Sequence, residues 1–227
     1  MKELTREELN VLEAQLSCPS GTMGIEVGHR MNESNKDMTL KTISNLHLVE
    51  GMKVLELGHG NCGHLELLLN QANVSYVGLE ISETMLQEAQ KINQQFIQHR
   101  QSVFQLYNGL AIPFPDNTFD RILAINTIYF WKDPQALLSE IKRVLKPHGI
   151  CLVTYAQKSF MSKLPYVGDR FRLYDNQDLK ELALHTSLEM SEMLDITETV
   201  ENNDVEVLKR VYTIAKLVKI NNNDKNI

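Results

Sequence analysis

Short apolar runs alternate with amphipathic stretches along most of the chain. The runs predict buried strands at 54–57, 74–79, 103–106, 119–125 and 150–155. The stretches between them place apolar residues at three- and four-residue spacing, which is typical of helices packed on a sheet. Strands that alternate with helices predict an α/β fold with a parallel sheet.

The two ends of the chain have different patterns. Thr5 and Glu8 carry the sequence signature of a capping box, so we predict a helix over 5–17. The glycine-rich segment 20–35 predicts a loop, and a helix is expected over 36–47. Apolar runs near 188–196 and 207–218 predict a closing hairpin of two strands. We divide the chain into an N-terminal helical segment at 1–48, one domain at 49–219 and a disordered tail at 220–227.

A glycine-rich turn follows the strand predicted at 54–57. Gly58 and Gly60 lie where the chain leaves the strand and begins a helix, which is expected to run through the leucines after Leu65. A side chain at either glycine would block a ligand from the backbone. The first N–H groups of that helix lack intrahelical partners, so the turn suits a nucleotide-like ligand.

The next predicted strand ends in Glu80, and Ser82 is placed to cap the following helix, expected as one element over 82–98. A carboxylate at this strand end can accept hydrogen bonds from both hydroxyls of a ribose. Gly58, Gly60 and Gly63 also satisfy the G-x-G-x-x-G pattern of dinucleotide sites. Two classes of ligand therefore compete for the same loop.

Glu56 distinguishes the two classes. A carboxylate beneath a dinucleotide loop would repel the pyrophosphate by about 3 kcal/mol per charge pair, taking ~5 Å and an effective dielectric of about 20. S-adenosylmethionine has no phosphate and carries a cationic ammonium and a cationic sulfonium, which a carboxylate attracts. Glu56 therefore favours S-adenosylmethionine over a nicotinamide dinucleotide.

These features resemble those of class I S-adenosylmethionine-dependent methyltransferases, of the small-molecule, bacterial type 11-like group. The resemblance covers 51–155 and includes, in the expected order, the glycine loop, the acidic strand end, AIPFPDNTFDRIL and ALLSEIKRVLKPHG. It implies a single doubly wound Rossmann-like domain with helices on both faces and an N-terminal helical lid. The implied sheet has seven strands, mostly parallel, with an antiparallel C-terminal strand.

The resemblance also implies site residues. Those expected to bind the cofactor are Glu56, Gly58, Gly60, Glu80, Ile81, Met85, Asn108, Gly109, Leu110 and Asn126. Met85 has core packing as an equal alternative. Asn108 stands where the family usually has an aspartate that accepts the adenine amino group, which predicts weaker cofactor binding. Cys62 stands where a third glycine is common, and we interpret it as a packed small residue.

Residues expected near the methyl acceptor follow strand ends or belong to the lid. They are Met31, Asn32, Tyr129, Trp131, Arg170 and Arg172. The alternatives are a surface connection for the lid residues, core packing for the aromatic ones and solvated loop charge for the arginines. His29 and Tyr129 are candidates for a general base, which a thiolate or an already nucleophilic acceptor would not need. Phe130 is expected in the core.

Composition narrows the class of function. The chain has 23 basic against 29 acidic residues, and the basic ones are scattered, which disfavours nucleic acid as a partner. His59 and His64 lack a third ligand nearby in the sequence, so no metal is expected. Three widely spaced cysteines and the lack of a long apolar segment favour a cytoplasmic protein without a membrane partner. We expect a monomer or homodimer.

Three functions remain open on the sequence alone. The first is methyl transfer from S-adenosylmethionine to a small molecule of unknown identity. Because there is no N-P-P-Y or D-P-P-Y after the strand at 119–125, methylation of base amines and glutamine amides is disfavoured. The second is a nicotinamide-dependent oxidoreductase. The third is a cofactor-binding protein without turnover, which the departures at Cys62 and Asn108 suggest.

Overall fold

The computed structural model describes residues 4–186, 188–201 and 207–220. Within these ranges, seven strands form one sheet: β1 (Lys53–Leu57), β2 (Ser75–Glu80), β3 (Ser102–Leu106), β4 (Phe119–Ile125), β5 (Leu145–Ala156), β6 (Glu189–Glu201) and β7 (Val207–Val218). Their order is β3-β2-β1-β4-β5-β7-β6. β1 to β5 pair in parallel, whereas β7 is antiparallel to both of its neighbours. The predicted fold class and C-terminal hairpin are confirmed.

Helices cover the sheet and form the N-terminal segment. They are α1 (Arg6–Ser17), α2 (Gly21–Ser34), α3 (Lys36–Ser44), α4 (Leu65–Leu69), α5 (Glu83–Ile92), α6 (Gln94–Gln98), α7 (Pro134–Val144), α8 (Lys158–Met161) and α9 (Asn176–Leu184). The capping box of Thr5 and Glu8 is present in full. Within the described residues, no helix combines the length and apolar character needed to cross a membrane.

The prediction of a loop over 20–35 is wrong, because this segment forms α2. Its glycines allow close packing. A Cβ on Gly24 would lie 2.7 Å from the carbonyl carbon of Pro19, and one on Gly28 would lie 2.8 Å from Sδ of Met85. The loop prediction takes glycine as a helix breaker, whereas here its small size lets α2 approach α5.

The helix predicted over 82–98 is two helices, α5 and α6, separated at Asn93. The buried Asn93 side chain donates hydrogen bonds to the carbonyl oxygens of Cys62 and Ala89, at 3.0 and 2.9 Å. An asparagine that bonds the backbone of the preceding turn competes with continued helix. Its bond to Cys62 fixes the glycine loop to this helix end.

Strand β5 begins at Leu145, before the residue 150 that the apolar run predicts. Leu145 pairs with Phe119, and the register then shifts before Arg121 pairs with Ile150. The segment 146–149 is thus an irregular part of the strand and lies at the amino end of the parallel strands. Of the tail predicted at 220–227, residues 221–227 lie outside the described residues.

Candidate functional site

A cavity of about 540 Å³ opens at the carboxyl ends of β1, β2 and β4. This volume lies within the range of roughly 300–1,000 Å³ that is typical of small-molecule sites. α2 covers the cavity with Gly28, Met31 and Asn32. Ligands of open α/β sheets bind at this edge, so its position agrees with the general rule.

Most of the residues predicted to bind the cofactor line this cavity. They are Glu56, Gly58, Gly60, Glu80, Ile81, Met85, Asn108, Gly109 and Asn126. Leu110 lies outside it and is partly exposed. Of the predicted substrate residues, Met31, Asn32 and Trp131 also line it. The fold therefore brings residues from four strand ends and from the N-terminal segment to one place.

The glycine loop presents its backbone to the cavity. Gly58 and Gly60 have φ values of +72° and +58°, which favour glycine. A Cβ on Gly58 would lie 2.5 Å from Cγ2 of Thr127, so this glycine is required for packing. A Cβ on Gly60 would meet no atom within 4 Å. The space above Gly60 is thus available to a ligand, which a side chain would displace.

Glu80 is held rigidly at the end of β2. Its Oε2 accepts a hydrogen bond from the N–H of Gly60 at 2.9 Å, and its Oε1 accepts from Ile81 and Ser82 at 2.8 and 3.0 Å. Because a carboxylate has about four acceptor positions, one remains for a donor in the cavity. The arrangement fits a ligand that carries hydroxyl groups.

Glu56 lies beneath the loop and is 2% exposed. Its Oε2 accepts hydrogen bonds from the Tyr76 hydroxyl at 2.6 Å and from Nε2 of His64 at 2.9 Å. Burial raises the pKa of Glu56, but the charge and hydrogen bond of His64 and the hydrogen bond of Tyr76 lower it by more, so its pKa lies below the ordinary value. Burial lowers the pKa of His64, and Glu56 raises it by more, so its pKa lies above the ordinary value.

The pairing of Glu56 with His64 changes the electrostatic argument made from the sequence. That argument takes Glu56 as an unpaired negative charge under the loop. The imidazolium of His64 compensates that charge, so its repulsion of a pyrophosphate and its attraction of a cation are both weaker than expected. Glu56 therefore no longer separates the two ligand classes, and other features must do so.

Cys62 joins the same buried network. Its Sγ lies 3.1 Å from the Tyr76 hydroxyl oxygen, and burial raises its pKa well above the ordinary value. Potential ligand atoms of Glu56, Cys62 and His64 all lie within 4.8 Å of one another. We interpret the group as a hydrogen-bond network, because each of these atoms already has a partner in it and a metal would need the thiolate. The absence of a metal stays a prediction.

Asn108 does not offer the acceptor that its position suggested. Its Oδ1 accepts hydrogen bonds from the N–H groups of Leu110 and Ala111, at 2.9 and 3.0 Å. Both acceptor positions of the amide oxygen are thus used, and its NH₂ can only donate. An aspartate would use one oxygen for the turn and keep the other for a ligand.

The N-terminal helices are fastened over the cavity by hydrogen bonds. The Asn32 side chain donates to Oδ1 of Asn61, and the N–H of Gly21 donates to Oγ1 of Thr84 at 3.2 Å. The Ser82 hydroxyl donates to the carbonyl oxygen of Pro19. These contacts hold the segment 19–32 over the cavity, and the lid at 1–48 and its boundary stay a prediction.

A second cavity of about 90 Å³ adjoins the first and shares Leu16, Met31, Asn35, Asn126 and Phe130 with it. Phe130, expected in the core, thus lines both cavities. Tyr129 lines the second cavity, and its hydroxyl donates to the carbonyl oxygen of Ala156 at 2.9 Å and lies 3.1 Å from Oδ1 of Asn126. Burial raises the pKa of Tyr129, so its phenol stays protonated, which does not support a role as base.

Three other predicted residues line neither cavity. His29 is exposed on α2, so its position does not support a role as base. Arg170 contributes its backbone N–H to Oε1 of Glu13, and the Arg172 guanidinium lies 5.8 Å from the centre of the Tyr174 ring. Neither arginine lines either cavity, and their role as an anion-binding pair stays a prediction.

Sequence reasoning missed Arg210, which lines the second cavity. It interrupts an apolar run of β7, and this interruption was the available signal. It also missed Phe160, Met161 and Leu164, which belong to α8 and the segment after it. The sequence does not reveal which of these side chains meet.

Part of the chain is similar to known methyltransferases. Residues 55–153 match the family model of the methyltransferase domain. An O-methyltransferase of Aspergillus sclerotiorum is 25% identical over 179 residues, which cover 75% of this chain and 67% of that protein. For seven other curated relatives the match covers 27–62% of their length, so the chain spans less than two thirds of these relatives.

Solved structures share the fold. One match is a chain in a solved complex that contains the Trm112 methyltransferase activator of Haloferax volcanii. Its TM-score is 0.72 at 16% identity, and the match covers 93% of this chain and 99% of that one. A SAM-dependent methyltransferase of Aquifex aeolicus has a TM-score of 0.61 at 19% identity, covering 95% and 100%. The resemblance to class I methyltransferases is thereby confirmed for the fold and for residues 55–153.

Proposed function

We propose that this protein is an S-adenosylmethionine-dependent methyltransferase that acts on a small-molecule acceptor. The observation that carries the proposal is the contact between Gly60 and Glu80. The Gly60 N–H donates to Oε2 of Glu80 at 2.9 Å, and the space above the same glycine is open. One short segment thus offers exposed backbone beside a fixed carboxylate. The match to the methyltransferase domain supports the same conclusion.

The residues present fit this cofactor. Glu80 would accept a hydrogen bond from one ribose hydroxyl at its remaining acceptor position, in place of the two expected from the sequence, and Ile81 and Met85 would provide apolar contacts to the adenine. The backbone at Gly58 and Gly60 would hold the amino-acid part through carbonyl oxygens, because the N–H groups of these two glycines already donate to Leu79 and Glu80. S-adenosylmethionine supplies a methyl group on a cationic sulfur, which makes transfer to a nucleophile favourable. The similarity in fold to the SAM-dependent enzyme of Aquifex aeolicus supports this choice.

The protein contributes positioning and exclusion of water. α2 covers the cavity, and Trp131, which is 8% exposed, closes it on the side of β4. The indole N–H of Trp131 donates to Oγ1 of Thr127 at 3.2 Å, and Thr127 packs on Gly58. Holding two reactants in a fixed orientation supplies much of the rate enhancement of such a reaction.

The nicotinamide alternative is disfavoured by topology. Dinucleotide-binding folds have the strand order 3-2-1-4-5-6 with parallel strands. Here β7 is inserted between β5 and β6 and is antiparallel to both. The second alternative, binding without turnover, is disfavoured by the adjoining cavity, because a protein that only binds the cofactor needs no room for an acceptor.

Calorimetry with S-adenosylhomocysteine and with NADH tests the proposal. We expect binding of the first and none of the second. Glu80→Gln should weaken binding roughly tenfold or more, since a hydrogen bond to a charged group contributes about 1.5–3 kcal/mol. Glu83→Gln, at an exposed residue in the first turn of α5, is the matched control and should leave the Kd unchanged. Binding of NADH alone would overturn the proposal.

A further inference from the structure

The second cavity lies directly beside the proposed cofactor site. It is bounded on one side by Met31 and Asn35 of the N-terminal segment and on the other by Phe160 and Leu164, which follow β5. Phe130 lines both cavities, as do Leu16, Met31, Asn35 and Asn126, so the two adjoin. A molecule in the second cavity would therefore lie directly beside a molecule in the first.

The walls of the second cavity are aromatic. The ring centres of Phe130 and Phe171 are 4.7 Å apart at an angle of 59°, and those of Tyr129 and Phe171 are 5.8 Å apart at 48°. Such tilted rings present both faces and edges to a bound molecule. A flat apolar ring fits this surface better than a branched or strongly hydrated molecule.

The cavity carries no unpaired charge among its described lining residues. Nε of Arg210 donates to Oε1 of Glu198 at 2.6 Å, and these side chains are 8% and 9% exposed. The guanidinium also donates through Nη1 to Oδ1 of Asn35 at 2.8 Å and through Nη2 to the carbonyl oxygen of Ser34 at 2.6 Å. Glu198 compensates the charge of Arg210, so a buried anion or cation would lack a counterion.

Arg210 nevertheless keeps donors for a neutral ligand. A guanidinium has five N–H groups, and three of them have the acceptors named above. One N–H remains on Nη1 and one on Nη2, without an acceptor among the described residues. The Tyr166 hydroxyl stays protonated because burial raises its pKa, whereas the Tyr129 hydroxyl already donates its proton to the carbonyl oxygen of Ala156. The donors left for a ligand are therefore those of Arg210 and Tyr166.

We propose that the second cavity binds the methyl acceptor, and that this acceptor is an uncharged aromatic compound bearing a hydrogen-bond-accepting oxygen that Arg210 contacts. The aromatic walls select the ring, the Arg210–Glu198 ion pair selects against charge, and the remaining N–H groups select an oxygen. This inference rests on the proposed function, because it takes the larger cavity as the site of the methyl donor.

Ligand-observed NMR with one-ring probes tests the inference on protein saturated with S-adenosylhomocysteine. The probes are 4-methylphenol, benzoate and benzylammonium at pH 7.5, which are similar in size and differ in charge. We expect a Kd on the order of 1 mM for 4-methylphenol, as is reasonable for so small a ligand. The two charged probes should bind at least about tenfold more weakly.

A cavity-filling variant assigns the binding to this place. Leu164→Trp should fill the second cavity and weaken binding of 4-methylphenol about tenfold or more, since the probe and the indole would need the same space. The Kd for S-adenosylhomocysteine should stay within about twofold, because Leu164 does not line the larger cavity. Leu184→Trp, the same change at a residue 79% exposed on α9, should alter neither.

The outcomes separate this inference from the proposed function. Three results would overturn the inference even if the cofactor binds. They are equal or tighter binding of a charged probe, no binding of 4-methylphenol, and binding of 4-methylphenol to Leu164→Trp as tight as to wild type. If S-adenosylhomocysteine does not bind, the proposed function fails. The same three probes then test the second cavity in protein without S-adenosylhomocysteine. The inferred ligand class stands only if 4-methylphenol still binds more tightly than benzoate and benzylammonium.

Discussion

Nε2 of His64 lies 2.9 Å from Oε2 of Glu56 beneath the glycine loop. Both side chains are largely buried, with 13% and 2% exposed. A buried carboxylate alone is strongly destabilising, whereas a carboxylate paired with an imidazolium and a phenol is tolerated. The pair explains how an acidic residue can stand in a buried central strand. Where His64 is protonated, it compensates the charge of Glu56 under the loop.

Replacing His64 should show how strongly the buried carboxylate of Glu56 destabilises the fold without its partner. We expect His64→Gln to lower the free energy of unfolding by about 2–3 kcal/mol near pH 6. The raised pKa of His64 means that its contribution is complete below the ordinary value of 6.5 and is lost as the pH rises through the higher folded value. The lowered pKa of Glu56 means that its contribution is present above the ordinary value of 4.5 and is lost as the pH falls through the lower folded value.

Urea denaturation of wild type and variant at several pH values measures this difference. The penalty of His64→Gln should be greatest between about pH 4.5 and 6.5 and should shrink above that window. The double variant Glu56→Gln, His64→Gln removes the buried charge and should recover part of the loss. An equal penalty at pH 6 and pH 9 would show that the ion pair is not its cause.

Asn108→Asp should strengthen cofactor binding. The new carboxylate would accept from the Leu110 and Ala111 N–H groups with one oxygen and offer the other to the adenine amino group. A gain of about 1 kcal/mol, or roughly fivefold in Kd, is expected for one such hydrogen bond. Calorimetry with S-adenosylhomocysteine measures it. Asn73→Asp is the control, because Asn73 lies just before β2 and outside the cavity and the change adds the same charge. An equal gain in affinity in both variants would count against the proposed bond from Asn108→Asp.

Gly60→Ala should abolish cofactor binding with a small loss of stability. The added methyl group meets no protein atom but occupies the space above the loop, and a φ of +58° costs a non-glycine residue about 1–2 kcal/mol. Gly51→Ala is the matched control, because Gly51 has a φ of +81°, an equally open Cβ position and no part in the cavity. Similar Kd values for the two variants would contradict the assignment of Gly60.

Glu13 should hold the segment after α8 against α1. Its buried Oε1 accepts from the N–H groups of Gly168 and Arg170, at 3.1 and 2.7 Å. Glu13→Ala would remove both acceptors and loosen the segment, so trypsin should cleave faster after Lys163 or Arg170 than in wild type. Glu7→Ala, at an exposed residue of the same helix, should leave the cleavage rate unchanged. Unchanged cleavage of the Glu13 variant would show that other contacts hold the segment.

The fold was predictable because strand runs and caps are local signals. The strand at 54–57, the glycine turn and Glu80 could be assigned from spacing, and all of them meet at the cavity. The segment 20–35 could not, since the same glycine serves as a helix breaker or as a close-packing residue, and only the partner helix decides. Arg210 could not be assigned to the site either, because its contacts with Ser34 and Asn35 span more than 170 residues of sequence.

A crystal structure of the protein grown with saturating S-adenosylhomocysteine tests the central claim most directly. The account predicts the ligand in the cavity beneath α2, with a ribose hydroxyl within hydrogen-bond distance of Glu80 and its amino-acid part over Gly60. An empty cavity at saturating ligand, or a nucleoside bound elsewhere without contact to Glu80, would contradict it.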